Sequence, residues 1–185
     1  KAIMPVHIYG NPCDMDGIMK IAKEYDLKVV EDCAEALGSE INGQPVGSFG
    51  HAAAFSFFAN KVITCGEGGA VIFKEKSAYQ KAILLRDHGM SKNKRYWHEE
   101  VGYNYRLTNI QAAIGCAQLE QFSSFKDKRK KIFSSYDDIL IPTGMFKRPL
   151  IKKDNCESYW IYTILINKDV NMDLLAERLR KNRID

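Results

Sequence analysis

The sequence predicts an α/β protein built on a mostly parallel sheet with flanking helices. Three observations predict it. Apolar runs at Ala2–Tyr9 and Leu27–Val30 enclose a stretch whose apolar residues recur at helical spacing, the order of a parallel crossover unit. A further apolar run, Ala52–Phe58, is followed by Ala70–Phe73 across a glycine-rich turn, which extends the sheet. Past residue 140 the chain changes character, and a strand and a helix read as the start of a small α+β C-terminal domain, dividing the chain into 1–140 and 141–185.

Taken in order, Ala2–Tyr9 ends at Gly10 and reads as a buried strand running into a loop through Pro12. Asp14 stands where a helix cap belongs, and Met15, Ile18, Met19, Ile21, Ala22 and Tyr25 then form one apolar face. The strand Leu27–Val30 is expected to stop at Glu31-Asp32. That puts Asp32 at a carboxyl end, where open α/β sheets bind ligands. Asn42-Gly43 between Ser39-Glu40-Ile41 and Gln44-Pro45-Val46 signals a hairpin. Ala52–Phe58 delivers Ser56 and, just beyond, Lys61, with Ala70–Phe73 as its partner strand. A helix from about Ser77 to Asp87 precedes a polar, aromatic loop from His88 to Tyr105. From Thr108, placed to cap it, one long amphipathic helix continues through Ile110, Ala113, Ile114, Ala117 and Leu119 to Ile132. Ile141-Pro142-Thr143-Gly144 breaks it, Lys147–Asn155 links, Tyr159–Ile166 is a strand, and Met172, Leu174, Leu175, Ala176 and Leu179 mark a last helix.

At 185 residues, 45% hydrophobic and 27% charged, the chain can bury one sizeable core. No apolar run is long enough to cross a bilayer and no signal-peptide pattern opens the chain, so a cytoplasmic protein without a membrane span is expected. It opens on Lys1 with a strand already under way, the pattern of a piece of a longer protein. Five cysteines, odd in number and without a close pair, argue for reduced thiols rather than a disulfide framework or a metal knuckle, and no metal site is expected. Net charge +4 is mild, and no nucleic-acid partner is expected. The basic clusters Lys92–Arg95 and Lys126–Lys131 could contact phosphate, although the second reads better as a solvated helix face.

The segment Phe55–Gly69 carries the chemistry, because it places Lys61 between an aromatic run and the turn Gly66-Glu67-Gly68-Gly69. Alone, that lysine reads better as a surface residue at a strand end. Held in apolar surroundings, it is instead an amine nucleophile toward aldehydes. Asp32 at one strand end and Ser56 five residues before Lys61 shift the balance. Pyridoxal 5'-phosphate chemistry needs these groups: an amine for the aldehyde, a carboxylate to keep the ring nitrogen protonated, and hydroxyls or amides for the phosphate.

Five segments resemble, in order and spacing, the sugar aminotransferases of the DegT/DnrJ/EryC1/StrS family. They are Pro5–Gly10, Val30–Ala36, Phe55-Ser56-Phe57-Phe58 up to Lys61, Gly66–Gly69 and Gly102–Asn109. The resemblance runs from residue 1 to about residue 125 and continues more faintly to the end. It implies the aspartate aminotransferase type of fold (fold type I), with residues 1–140 as the central part of the cofactor-binding large domain. It further implies a homodimer with its sites at the subunit interface, a nucleotide-linked keto sugar as acceptor, and an amino-acid donor. By the same resemblance Lys61 carries the cofactor as a Schiff base and Asp32 pairs with its ring nitrogen. Ser56 binds its phosphate, and Asn104 reaches that phosphate from the neighbouring subunit. Glu35 stands where most members have glutamine, beside the ring hydroxyl, and a carboxylate accepts there but does not donate unless protonated.

Within the family, Glu31–Ala36, Phe55–Phe58 before the lysine, and Arg95-Tyr96-Trp97 ahead of Val101–Arg106 most resemble members whose acceptor is GDP-4-keto-6-deoxymannose, and that resemblance implies this acceptor, with glutamate as donor, in surface-polysaccharide biosynthesis. Family members that dehydrate the sugar carry histidine at the lysine position, so Lys61 argues against that reaction. A non-catalytic nucleotide-sugar-binding module stays open, because resembling proteins have preceding and following segments that add cofactor and substrate contacts. His88, Arg95 and Tyr103 are the candidate substrate contacts. For His88 and His98 the plain alternative is a surface loop, and for Glu67 a turn closed on backbone amides. Tyr96, Trp97, Tyr103 and Tyr105 either stack on a base or pack an interface, while His7 and Tyr9 read as shaping their loop.

Overall fold

A computed structural model describes residues 1–184, and its organising feature is a four-stranded sheet. Strand β1 (Ala2–Ile3) leads through a 3-10 turn at Ile8–Gly10 to helix α1 (Met15–Glu24) and strand β2 (Lys28–Asp32). β1 and β2 pair in parallel, so the crossover unit is present as the periodicity indicates. The first apolar run is nevertheless mostly not strand: Pro5 lacks an amide hydrogen, and the chain rejoins the sheet only through a bridge from Val6 to Asp32. Met15 and Ala22 on the inner face of α1 are 1% and 2% exposed and pack with Val29, Cys33, Ala36 and Ala53 as the main core. Asp14 occupies the cap position without a capping hydrogen bond, because its carboxylate instead meets Lys152 Nζ at 3.0 Å.

The hairpin forms as expected, with β3 (Glu40–Ile41) against β4 (Gln44–Pro45). Asn42 and Gly43 both have positive φ, 52° and 77°, as the tight two-residue turn requires. Strand β5 (Ala52–Ser56) lies parallel to β2, and β6 (Gly69–Phe73) is antiparallel to β5, giving the order β1-β2-β5-β6. Helix α2 (Lys76–Arg86) follows.

The single long helix expected from Thr108 to Ile132 is two helices, α3 (Asn109–Glu120) and α4 (Phe122–Leu140), which meet at Gln121. Thr108 does cap α3, and forms a full capping box with Gln111. α3 is not amphipathic: it buries none of its residues, and Ile110, Ile114 and Leu119 are exposed. Pro142 and Gly144 (φ 71°) end α4 where the sequence indicates.

Beyond it lie β7 (Phe146–Lys147), β8 (Asn155–Cys156), β9 (Leu165–Ile166) and helix α5 (Met172–Lys181). β7 pairs with β9, whereas β8 returns to pair with β3. Only the end of the expected strand Tyr159–Ile166 is strand. Tyr159 sits at φ 56°, and the 158–160 backbone is held by side chains rather than by a ladder. No described helix is long and apolar enough to cross a membrane.

Candidate active site

Side chains alternate across a strand, so the adjacent acids Glu31 and Asp32 at the end of β2 face opposite sides of the sheet. Glu31 is fully buried. Its Oε1 accepts from the amides of Phe49 (2.9 Å) and Gly50 (2.5 Å), and its Oε2 from the amide of Gly47 (2.7 Å) and from His7 Nε2 (3.1 Å). His7 Nδ1 in turn accepts from the Cys13 amide at 3.0 Å, which fixes the Nε2–H tautomer. Burial alone would raise the Glu31 pKa. The His7 and glycine-amide hydrogen bonds outweigh it and hold the carboxyl below its ordinary range. The grouping of His7, Glu31 and Cys33 resembles a metal site, but the first two have their ligand atoms committed to these bonds.

Asp32 takes the other face. In the parallel register it sits opposite Ala54, and Ser56 lies two residues further along β5, so Asp32 and Ser56 share one side of the sheet. Among the described residues only the Ala34 amide donates to the Asp32 carboxylate, at Oδ1 (3.0 Å). The rest of that carboxylate is free to meet a ligand.

Past Ser56 the chain forms an ordered loop tied across its base. Phe57 N–H donates to Gly68 O at 2.9 Å, Cys65 N–H to Phe57 O at 3.1 Å, and Lys61 N–H to Phe58 O at 3.0 Å. Lys61 therefore rests on a fixed turn. Its side chain lines a pocket with Ala34, Glu35, Leu37, Ser56 and Trp160. Glu35 Oε2 already accepts the Tyr9 amide at 2.6 Å, which holds its carboxylate at the pocket mouth.

Trp160 is the site residue that the sequence does not reveal. It is buried, its Nε1–H donates to Asn60 O at 2.9 Å, and Lys61 Nζ stands 3.8 Å from its ring centre. Asn60 and Trp160 are 100 residues apart, so no local pattern joins them.

The remaining sequence candidates do not line this pocket. Asn104 is exposed on a segment that bridges to Asp87, flanked by Tyr103 and Tyr105, whose rings stack at 5.0 Å. His88 takes a left-handed conformation (φ 59°) and its carbonyl meets His98 Nδ1 at 2.8 Å. Arg95 is exposed, with its guanidinium over the Tyr96 ring. The candidates form two groups: Lys61, Ser56 and Glu35 in one pocket with Asp32 on the same sheet face, and His88, Arg95, Tyr103 and Asn104 on the 88–105 loop.

This fold is that of the fold type I transferases that use pyridoxal phosphate, with a lysine just beyond a strand end. The pattern of the DegT/DnrJ/EryC1/StrS aminotransferase family matches residues 1–185, and the chain belongs to that family. Relatives include a GDP-perosamine synthase of Escherichia coli O157:H7, 42% identical over 185 residues (100% of this chain, 50% of the relative). The GDP-perosamine synthase of Caulobacter vibrioides is 44% identical over 172 residues (92% and 46%). Among solved structures, Helicobacter pylori PseC, an aminotransferase involved in the biosynthesis of pseudaminic acid, superposes with a TM-score of 0.92 at 34% identity, covering 98% of this chain and 50% of PseC. The chain thus spans about half the length of the relatives it matches. An amine, a hydroxyl and carboxylates gathered at the carboxyl end of the sheet are the donor set that pyridoxal phosphate requires, so the residues fit the group.

Proposed function

We propose that this chain carries the lysine-bearing half of a pyridoxal phosphate-dependent sugar aminotransferase. The observation that supports it best is the single pocket shared by Lys61, Ser56 and Glu35, with Asp32 on the same sheet face. In this reading the Lys61 amine holds the cofactor covalently, Asp32 binds its ring nitrogen, Ser56 its phosphate and Glu35 its ring hydroxyl. When bound, the cofactor supplies an electron sink for the carbanion formed as the amino group moves. The chain's own part is to orient and to move protons. Asp32 keeps the ring nitrogen protonated. Lys61 Nζ, once free, takes the proton from the donor's α-carbon and later returns one to the sugar carbon that receives the amine.

The acceptor we propose is a nucleotide-linked 4-keto-6-deoxy sugar, GDP-4-keto-6-deoxymannose, with glutamate as the donor and GDP-perosamine as the product, for O-antigen assembly in the cytoplasm. Identity of 42% and 44% to two GDP-perosamine synthases supports that acceptor over other keto sugars. His88, Arg95 and Tyr103 are its proposed contacts. Asn104 is proposed to reach the phosphate in a second copy, which accords with its exposed place on the 88–105 loop and with the exposed apolar residues nearby, Tyr105 and Ile110 among them. Residues 1–140 then belong to the large domain, and 141–185 begin the small one.

The test adds pyridoxal phosphate to the purified protein and follows visible absorbance, then assays glutamate-dependent amine formation on the keto sugar. Lys61→Ala and Lys61→Arg are expected to lose both signals. Amination by either variant at the wild-type rate would overturn the assignment, and a keto-deoxy product in place of an amino sugar would reassign the reaction to dehydration.

A further inference from the structure

Lys61 is half-buried. Its ammonium lies 3.8 Å from the centre of the Trp160 ring, and that ring and its backbone are held by hydrogen bonds. The indole Nε1–H donates to Asn60 O at 2.9 Å, joining it to the residue just before Lys61. Arg129 on α4 donates from Nη1 to Trp160 O (2.8 Å) and to Tyr159 O (3.3 Å). Ser158 Oγ donates to Glu35 O at 2.7 Å, which ties the same segment to another residue that lines the pocket. Three residues from separate parts of the chain, Glu35, Asn60 and Arg129, therefore anchor the segment that places one aromatic face under one amine.

We propose that Trp160 is a positioning residue for Lys61: its ring is a parking place for the lysine's side chain, and Lys61 must leave that face before it can attack an aldehyde. This rests on reading Lys61 as the reactive amine. The physical basis is direct. An indole face attracts the lysine's cation, so the ring holds the amine against the pocket wall and away from an incoming electrophile. The same hydrogen bonds make the effect depend on docking. If the 158–160 segment moves off Glu35 and Asn60, the ring leaves and the amine is released. The chain's C-terminal part thereby sets the reactivity of a lysine carried by its N-terminal part.

The test needs no cofactor, so its failure is distinct from failure of the proposed function. The 185-residue chain is treated briefly with acetic anhydride at fixed pH, and acylation of Lys61 is measured by peptide mass spectrometry against the other lysines. Trp160→Leu is expected to raise the Lys61 rate about two- to five-fold, the range set by the strength of an exposed to partly buried cation–π contact. Trp160→Phe also opens the pocket but keeps a π face, and its rate is expected to stay nearer wild type. Equal Lys61 rates in wild type, Trp160→Leu and Trp160→Phe overturn the proposal. A second measurement leaves Trp160 in place and guards against misfolding. The chain has two tryptophans, so in a Trp97→Phe background Trp160 emits alone, and Lys61→Met is expected to change its emission. Emission that does not respond to Lys61→Met likewise overturns it.

Discussion

His7 Nε2 meets Glu31 Oε2 at 3.1 Å with neither side chain exposed to solvent, and three backbone amides complete the shell around that carboxylate. Glu31→Gln keeps the shape but puts an NH2 against amide hydrogens or His7. It should destabilise the fold by about 3 kcal/mol, the scale for an unmatched buried charged-group contact. The Glu31 pKa is lowered in the folded chain, so its contribution is complete above the unfolded value of about 4.3 and is lost as pH falls through the folded value. Urea unfolding at neutral pH and near pH 3 checks this: the gap between wild type and Glu31→Gln should narrow on acidification.

Arg148 joins α4 to the chain that follows. Its guanidinium lies against the rings of both Phe133 and Tyr162, with Nη2 on both Glu157 oxygens at 2.6 and 2.8 Å and Nη1 on Asp137 at 3.4 Å. Arg148→Met should cost about 3 kcal/mol because it leaves two carboxylates unpaired, and adding Glu157→Gln should recover part of that. Arg148→Lys keeps the charge but not the planar stacking, and an intermediate loss of about 1–2 kcal/mol is expected from thermal unfolding.

Gly10 has φ 81°, and a β-carbon there would collide with Ser158 Oγ. Gly10→Ala should therefore lower stability by about 2–3 kcal/mol through backbone strain and overlap together. It should also displace the 158–160 segment, read as a change in Trp160 fluorescence. Combining it with Ser158→Ala should relieve only part, since the Ser158 β-carbon itself is 3.0 Å from the added carbon.

Burial, reinforced by the charges of Glu31 and Asp32, pushes the Cys33 thiol up to about 12, whereas Cys116 is exposed on α3. Maleimide at mildly alkaline pH should label Cys116 within minutes and leave Cys33 unmodified until the chain is unfolded in urea. Mass spectrometry of the tryptic peptides decides it, and early labelling of Cys33 would mean that the α1–β2 core opens.

Much of this architecture was legible from short-range pattern. The parallel crossover, the Asn42-Gly43 hairpin and the Thr108 cap each depend on residues within one element or turn, and each is present. So was the placement of Asp32 and Ser56, because the carboxyl end of a parallel sheet gathers such groups. Long-range contacts were not legible. Glu31 reads as the end of a strand, yet it pairs with Ala53 inside β2 and its carboxylate is buried against amide donors that arrive from Gly47–Gly50. Gln121 carries no breaker signal, so the apolar repeat runs on through a real break between α3 and α4. Trp160 reads as one more strand aromatic, since what gives it a role is a carbonyl 100 residues away.

The pair Glu31-Asp32 also has a consequence for how the sheet is proofread as it assembles. If β2 slid one residue back along β5, every side chain would change faces, and Asp32 would stand where Glu31 now stands. Aspartate is one methylene shorter than glutamate and would hang short of the Gly47–Gly50 amides, leaving buried donors bare. Two like-charged neighbours differing by a single carbon thus let the amide nest reject the wrong alignment, and that rejection secures which acid faces the lysine's side of the sheet.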